Sequence, residues 1–320
     1  MKLLFLLLAL LCSCHQKENT PLTTEIQGIS MTIPYRIIIG THLSPDEKKE
    51  VQEIANEVFQ SVNSIYNHYN PHSEISKINA SRSWEPIPLS LELAEAFYLA
   101  DRVYRETDGR FDPTVLTLQK VWQEYLDKGQ QAPNVNERKI SWKQVHLKDS
   151  TITKKIVEIQ FDLTGLAKGL CVDKITDALL QAGYKNFLVD WGGEIATRGE
   201  HPEKRPWRLY ISHFGKNESD TNLGIIEMQD NAVATSGNYL QQWHVQDKVY
   251  THVFDPEIGK PLEVTPEAVS SVSVLAPSCA YADALATSIM LFKNIETAKG
   301  WSEEFTLTHP DVNIWLADKK

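Results

Sequence analysis

The chain has 320 residues, with 42 acidic side chains against 32 lysines and arginines and a formal charge of −10. No Lys/Arg-rich run interrupts that balance, which excludes nucleic acid as the expected partner. The length suits one large domain or two intimately packed ones, and 15 Gly and 15 Pro are dispersed without a repeat or low-complexity segment.

Met1-Lys2 is a short basic start, followed by an apolar run over 3–11 and then Cys12-Ser13-Cys14. A spanning helix needs roughly 20 apolar residues, so the run matches a signal-peptide core instead. Ser13 before Cys14, with Leu11 three positions back, resembles a bacterial lipobox. Residues 1–13 are then a lipoprotein signal peptide and Cys14 the lipidated first residue of the mature chain. Residues 14–28 follow as a tether and 29–320 as one domain. The protein is expected to be membrane-anchored on the periplasmic, extracytoplasmic side; an ordinary signal peptide cleaved nearby is the alternative. Cys171 and Cys279 lie in apolar segments and read as buried free thiols, although an oxidising compartment would permit pairing.

Residues 31–39 are β-branched and aromatic, a strand closed by Gly40. Ser44-Pro45-Asp46-Glu47 opens a helix with a capping-box start, and apolar residues at helical spacing carry it to about Tyr66. A second helix covers 90–107 and stops at Gly109. Residues 129–135 read as an exposed connection, 161–163 as a short strand end, and 166–181 as a helix with Gly183 as C-cap. Strands are expected at 187–190, 207–214, 224–229, 232–235, 250–254 and 269–275, a helix at 279–292, and a last strand over about 305–317. Helices and strands mix without a βαβ rhythm. The pattern predicts an α+β fold, with a mixed or antiparallel sheet core, flanking helices and two intimately packed subdomains.

Five segments carry chemistry. Asp162-Leu163-Thr164-Gly165-Leu166-Ala167-Lys168-Gly169 sits where a strand gives way to a helix, a junction that offers free backbone N–H groups to an anion. Lys168 there could meet a phosphate or a carboxylate, or point to solvent; the glycine spacing is not that of a Walker loop. Trp191-Gly192-Gly193-Glu194 and Thr235-Ser236-Gly237 are turns that could also admit a flat ligand. His252 stands among β-branched and aromatic residues, as a structural histidine or a proton acceptor. Asp283 and Thr287, four apart in a small-residue helix, point at one spot. One carboxylate and one hydroxyl suit a hard cation that keeps waters and takes phosphate oxygens, as magnesium does.

In chain order these segments, together with Tyr69-Asn70-Pro71-His72-Ser73 and Asp108-Gly109-Arg110-Phe111-Asp112-Pro113, resemble the FAD:protein FMN transferases, the ApbE family of bacterial flavin transferases. The resemblance runs from Met31 to about Phe292. It implies a Mg²⁺-dependent enzyme that moves the FMN half of FAD onto a threonine or serine hydroxyl of an acceptor protein, releasing AMP. It implies Mg²⁺ on Asp283, Thr287 and the main-chain oxygen of Gly165. It implies FAD contacts at Met31, Tyr69, Arg110, Phe111, Asp112, Asp162, Lys168, His252 and Val253, and an acceptor in a membrane redox complex. Its Met-Gly-Thr becomes Met31-Thr32-Ile33 in this chain. His252 is the candidate general base. A Mg²⁺-dependent FAD pyrophosphatase and a non-catalytic FAD-binding lipoprotein are the rival readings.

Overall fold

The computed structural model describes residues 22–130, 140–212, 222–238 and 241–318. The signal peptide, Cys14, the expected connection beyond residue 130 and the end of the strand expected to reach 214 lie outside them. In chain order the elements are β1 (Thr24–Ser30), β2 (Ile33–Ile39), α1 (Pro45–Ile65), α2 (Glu74–Ala80), β3 (Ile87–Pro88), α3 (Leu91–Glu106), α4 (Leu116–Leu126), β4 (Val145–Lys148) and β5 (Thr151–Lys154). Then follow α5 (Thr164–Gln181), β6 (Phe187–Trp191), β7 (Glu194–Arg198), β8 (Trp207–Ser212), β9 (Asn222–Met228), β10 (Ala232–Gly237), β11 (Gln242–Val245), β12 (Lys248–Asp255) and β13 (Lys260–Glu263). The chain closes with β14 (Val269–Ala276), α6 (Cys279–Ile289), α7 (Ile295–Thr308) and β15 (Asn313–Asp318).

Seven strands form the main sheet in the order β1-β2-β6-β7-β10-β14-β15, and every neighbouring pair is antiparallel. Smaller sheets are β11-β12-β13, β3-β5-β4 and the ribbon β8-β9. Helices α5 and α6 pack on one face of the main sheet, with α1 and α3 against them. The ribbon covers part of the opposite face through Trp207, Ile226 and Met228. One apolar core runs from the sheet through these helices to Phe97, Trp142, Ile152 and Phe161, so the small β3-β5-β4 unit shares it. Cys171 and Cys279 are both buried and free, and burial pushes both thiols up.

The helix starts follow from their caps. Ser44 Oγ accepts the Glu47 N–H at 3.3 Å while Glu47 Oε2 accepts the Ser44 N–H at 2.7 Å, which is the expected capping box. Three expectations fail. The tether does not extend to residue 28, because Thr24 already opens β1. Residues 161–163 form no strand: the Asn79 amide accepts from the Phe161 N–H at 2.6 Å and donates to its carbonyl at 2.9 Å, replacing a ladder. Phe305 belongs to α7, capped by Asn294, and the last strand starts at Asn313.

The contact that sets the functional helices is α5 on α6. A Cβ on Gly169 would stand 2.4 Å from the Cys279 carbonyl oxygen and 2.6 Å from the Ala280 Cα, closer than real side chains come. Glycine therefore lets the two backbones touch. One turn on, Asp173 caps the partner helix. Its Oδ1 accepts from the Cys279 N–H at 2.9 Å, and its Oδ2 from the Ala280 N–H and the Ser278 hydroxyl, each at 2.9 Å. Three otherwise orphaned donors of an N-terminus are thus satisfied by a side chain of another helix.

Gly169→Ala should gain about 1 kcal/mol of helix propensity and lose about 1–3 kcal/mol or more to overpacking against backbone. The net expectation is a lower melting temperature by calorimetry; an unchanged or higher one would show that α6 can move aside.

Candidate active site

Asp283 lies in the second turn of α6, buried, and its Oδ2 accepts the Gly169 N–H at 3.1 Å. The ordinary helical acceptor for that N–H is the carbonyl of Gly165, so Asp283 competes for it and leaves the Gly165 oxygen with acceptor capacity. Thr287, one turn further along α6, faces the same residue: a Cβ on Gly165 would lie 3.3 Å from Thr287 Oγ1 and 3.1 Å from the Phe111 ring. Ser236 on β10 adds a second hydroxyl 3.4 Å from Thr287 Oγ1. Gly165 and Thr287 are thus neighbours, and Asp283, one turn before Thr287 on α6, bonds the next turn of α5.

Lys168 is one turn along α5 from Thr164, and its ammonium pairs with Glu194 Oε1. Burial works against the Lys168 charge, but Glu194 and Asp283 outweigh it and hold its pKa above the ordinary lysine value. Burial, with the Asp283 charge adding, lifts the Glu194 carboxyl, and Lys168 holds it back. Asp283 is likewise raised by burial against the opposing pull of Lys168 and the Gly169 N–H. Glu194 is fully buried, and its Oε2 has no hydrogen-bond partner among the described residues. Two buried carboxylates thus share one ammonium. That cluster, beside the Gly165 carbonyl and two hydroxyls, would suit a hard divalent cation.

Glu194 is delivered by a hairpin. Trp191 pairs with Glu194, and Gly192 (φ +69°) with Gly193 (φ +103°) makes the two-residue turn between β6 and β7. Met31 and Thr32 make the matching turn between β1 and β2, with φ +46° and +68°. Met31 is therefore in a turn and not in the strand that 31–39 predicts. Thr32 adopts the left-handed backbone that glycine takes easily, and Ile33 beside it touches the Gly192 turn.

The remaining residues fall into two groups. Asp162, Tyr69 and His252 sit together. Asp162 Oδ1 accepts the Thr164 N–H and hydroxyl, each at 2.7 Å, and lies 3.3 Å from His68 Nδ1. Burial opposes the Asp162 charge, but His68 and Thr164 bring its carboxyl below the ordinary value. Tyr69 is 80% exposed and its ring lies 4.0 Å from that of His68. His252, on β12, is open to solvent on one side while Val253 is buried. Desolvation in its recess and the Lys168 charge lower the His252 pKa, with Asp162 opposing. Its imidazole is thus neutral near pH 7.

Arg110, Phe111 and Asp112 form the second group. The Arg110 guanidinium lies 4.0 Å over the Phe292 ring, and Phe111 is buried against Gly165. Asp112 is engaged within the fold: Oδ1 accepts from the Thr114 N–H at 2.9 Å and its hydroxyl at 2.6 Å, and Oδ2 from the Trp142 N–H at 2.9 Å. Burial raises its carboxyl. Arg110 and Asp112 line a cleft of about 1320 Å³, with Tyr250, Asp255, Phe292 and Lys293 on its walls. Gly165, Lys168, Asp283 and Thr287 are not among that cleft's lining residues. Three neighbours are not marked by residue type or spacing: Glu194 and Ser236, which the sequence presents as turn residues, and His68 beside Tyr69.

A family model described as the ApbE family matches residues 29–308. The chain is 42% identical over 301 residues to the FAD:protein FMN transferase of Chlamydia pneumoniae, covering 92% of this chain and 91% of that protein. It is 31% identical over 290 residues to the enzyme of the same name from Vibrio cholerae, covering 89% and 85%. Among solved structures, the flavin transferase ApbE from Vibrio cholerae superposes with a TM-score of 0.76 at 29% identity, covering 93% of this chain and 94% of that one.

Removing the shared ammonium should expose the cost of the two carboxylates. Lys168→Met is expected to destabilise the fold by about 2–3 kcal/mol, less than the roughly 3–5 kcal/mol for breaking a fully buried pair because Lys168 is partly exposed. Urea titration measures it. Adding Glu194→Gln to that variant should recover part of the loss; additive losses would mean that the two side chains do not interact.

Proposed function

The chain belongs to the ApbE family, and on that premise we propose that it is an FAD:protein FMN transferase that uses Mg²⁺ and a threonine or serine acceptor. The observation that carries this reading is the meeting of Gly165 with Asp283 and Thr287, two distant stretches brought together beside Lys168. Asp283, Thr287 Oγ1 and the Gly165 carbonyl would hold Mg²⁺, which when bound supplies positive charge against the pyrophosphate of FAD. Lys168 contributes a second positive charge for the same phosphates.

The acceptor hydroxyl oxygen attacks the phosphorus on the FMN side. The bond from that phosphorus to the bridging oxygen breaks, and AMP leaves in line. A neutral ring nitrogen of His252 takes the hydroxyl proton, a role its lowered pKa supports. Tyr69 offers an exposed aromatic face to a flat ring, and the Met31-Thr32 turn lies at the end of the main sheet that carries Glu194. The family resemblance adds Arg110, Phe111 and Val253 to the FAD contacts, with Arg110 lining the cleft beside Phe292. Asp112 serves the site by shaping the turn after α3, since both its oxygens are already bonded, and Asp162 shapes the α5 start through Oδ1.

We place the protein outside the cytoplasm, held to a membrane by lipid on Cys14, with its acceptor in a membrane redox complex. The apolar run over 3–11 and the Cys12-Ser13-Cys14 sequence support that. Among the described residues no helix is long and apolar enough to cross a membrane.

Incubating the chain that follows Cys14 with FAD, Mg²⁺ and a candidate acceptor, then weighing the acceptor, tests the whole reading. A gain of one FMN with release of AMP is expected, whereas free FMN with an unmodified acceptor would indicate a pyrophosphatase. Asp283→Asn should abolish Mg²⁺-dependent AMP release; full activity in that variant would remove the metal assignment.

His252→Ala should slow transfer while FAD still binds. In the wild type, transfer should fall only as pH drops below the ordinary histidine value of about 6.5, because the lowered pKa keeps the ring neutral further into acid. An acid limb unchanged in His252→Ala would assign that limb to another group.

A further inference from the structure

The loop over 67–73 joins α1 to α2 and presents Tyr69 to solvent, yet it is held by many bonds. Asn67 donates from Nδ2 to Asn63 Oδ1 at 2.8 Å, and its own Oδ1 accepts the Tyr69 N–H at 3.0 Å. Asn70 donates to the Asn63 carbonyl at 3.1 Å, and the Ser76 hydroxyl donates to the His68 carbonyl at 3.1 Å. Within this frame the His68 side chain is 5% exposed, beside a neighbour that is 80% exposed.

His68 touches two groups at once. Its ring lies 4.0 Å from the Tyr69 ring at 38°, and its buried Nδ1, which makes no hydrogen bond among the described residues, lies 3.3 Å from Asp162 Oδ1, within ion-pair range. Further back, Asn79 binds the peptide of Phe161, and the buried Lys154 ammonium donates to the Ile78, Ser81 and Ile159 carbonyls at 3.1, 2.7 and 3.3 Å. These bonds fix α2 to the segment before α5. His68 completes the connection at its solvent end, where the aromatic face and the α5 start meet.

We infer that His68 is a positioning residue for FAD: one edge of its imidazole fixes the Asp162 carboxylate at the start of α5, and its face holds the Tyr69 ring in one orientation for stacking. The inference rests on the FAD reading given above. An unsupported Tyr69 would have to be ordered as the flat ring of FAD arrives, and ordering a side chain on binding weakens affinity. His68 does this beforehand. Its effect therefore falls on FAD affinity and leaves the transfer step unchanged.

Two substitutions separate the halves of the role. His68→Phe keeps a ring against Tyr69 and loses the nitrogen, while His68→Asn keeps an amide in the place of Nδ1 and loses the ring. Quenching of flavin fluorescence gives FAD affinity, and transfer assays with saturating acceptor give kcat and KM. Each variant is expected to weaken FAD binding by about three- to tenfold, the range for one mobile side chain, with kcat within about twofold. His68→Phe combined with Asp162→Asn should weaken binding by less than the product of the two separate effects.

Unchanged affinity in both single variants, beside a wild type that binds FAD, overturns the His68 inference alone. A matched fall in kcat and melting temperature with KM unmoved overturns it in favour of a merely structural residue. A wild type that does not bind FAD removes the functional reading, and this inference with it.

Discussion

Everything at the candidate site depends on how closely α5 and α6 approach at Gly169. Without a side chain there, the first turn of α6 rests on the backbone of α5, and Asp173 can reach across to bind three donors at its end. The same approach puts Asp283 within hydrogen-bond distance of the Gly169 N–H. A single glycine thereby couples helix packing, helix capping and the placement of a carboxylate. It explains why a hydrophobic, small-residue helix is buried almost entirely, against both the sheet and its neighbour.

Charge is arranged as tightly as volume. The protein carries a large negative excess, yet at the site one ammonium serves two buried carboxylates. Burying unbalanced carboxylates costs stability, so an arrangement of this kind makes sense where a cation and an anionic ligand complete it. The hydroxyls of Thr287 and Ser236 and the carbonyl of Gly165 are oxygen donors that could serve a hard ion without adding charge.

Much of this was legible in the sequence because it depends on local rules. The Ser44 box, the Ser90 cap and the glycine stops at Gly109 and Gly183 mark helix ends through backbone chemistry alone. The i, i+4 pair of Asp283 and Thr287 is likewise a property of any helix. Other features depend on tertiary partners. Helix α4 has no capping side chain and α2 is only seven residues long, so neither announces itself. In α7, Gly300 and several threonines disguise a helix whose apolar Ala298, Trp301 and Phe305 pack inward. Residues 161–163 look extended but take their bonds from Asn79, which is distant in sequence. Asp112 and Asp162 carry the family's motif, but which oxygens remain free is a matter of geometry. Glu194 could not be told from a turn residue until Lys168 was seen beside it.

The direction of β1 sets how a tethered molecule would stand. Thr24 pairs with Ile39 at one end of the main sheet, next to the beginning of β6, whereas the turns at Met31-Thr32 and Gly192-Gly193 lie at the other end with Glu194 and Lys168. At about 3.3 Å per residue, a strand of seven residues separates the two ends by roughly 20 Å. A leash entering at Thr24 would therefore hold the protein by its far pole. On the proposed anchoring through Cys14, the end carrying Glu194 and Lys168 would then be turned outward, away from the leash.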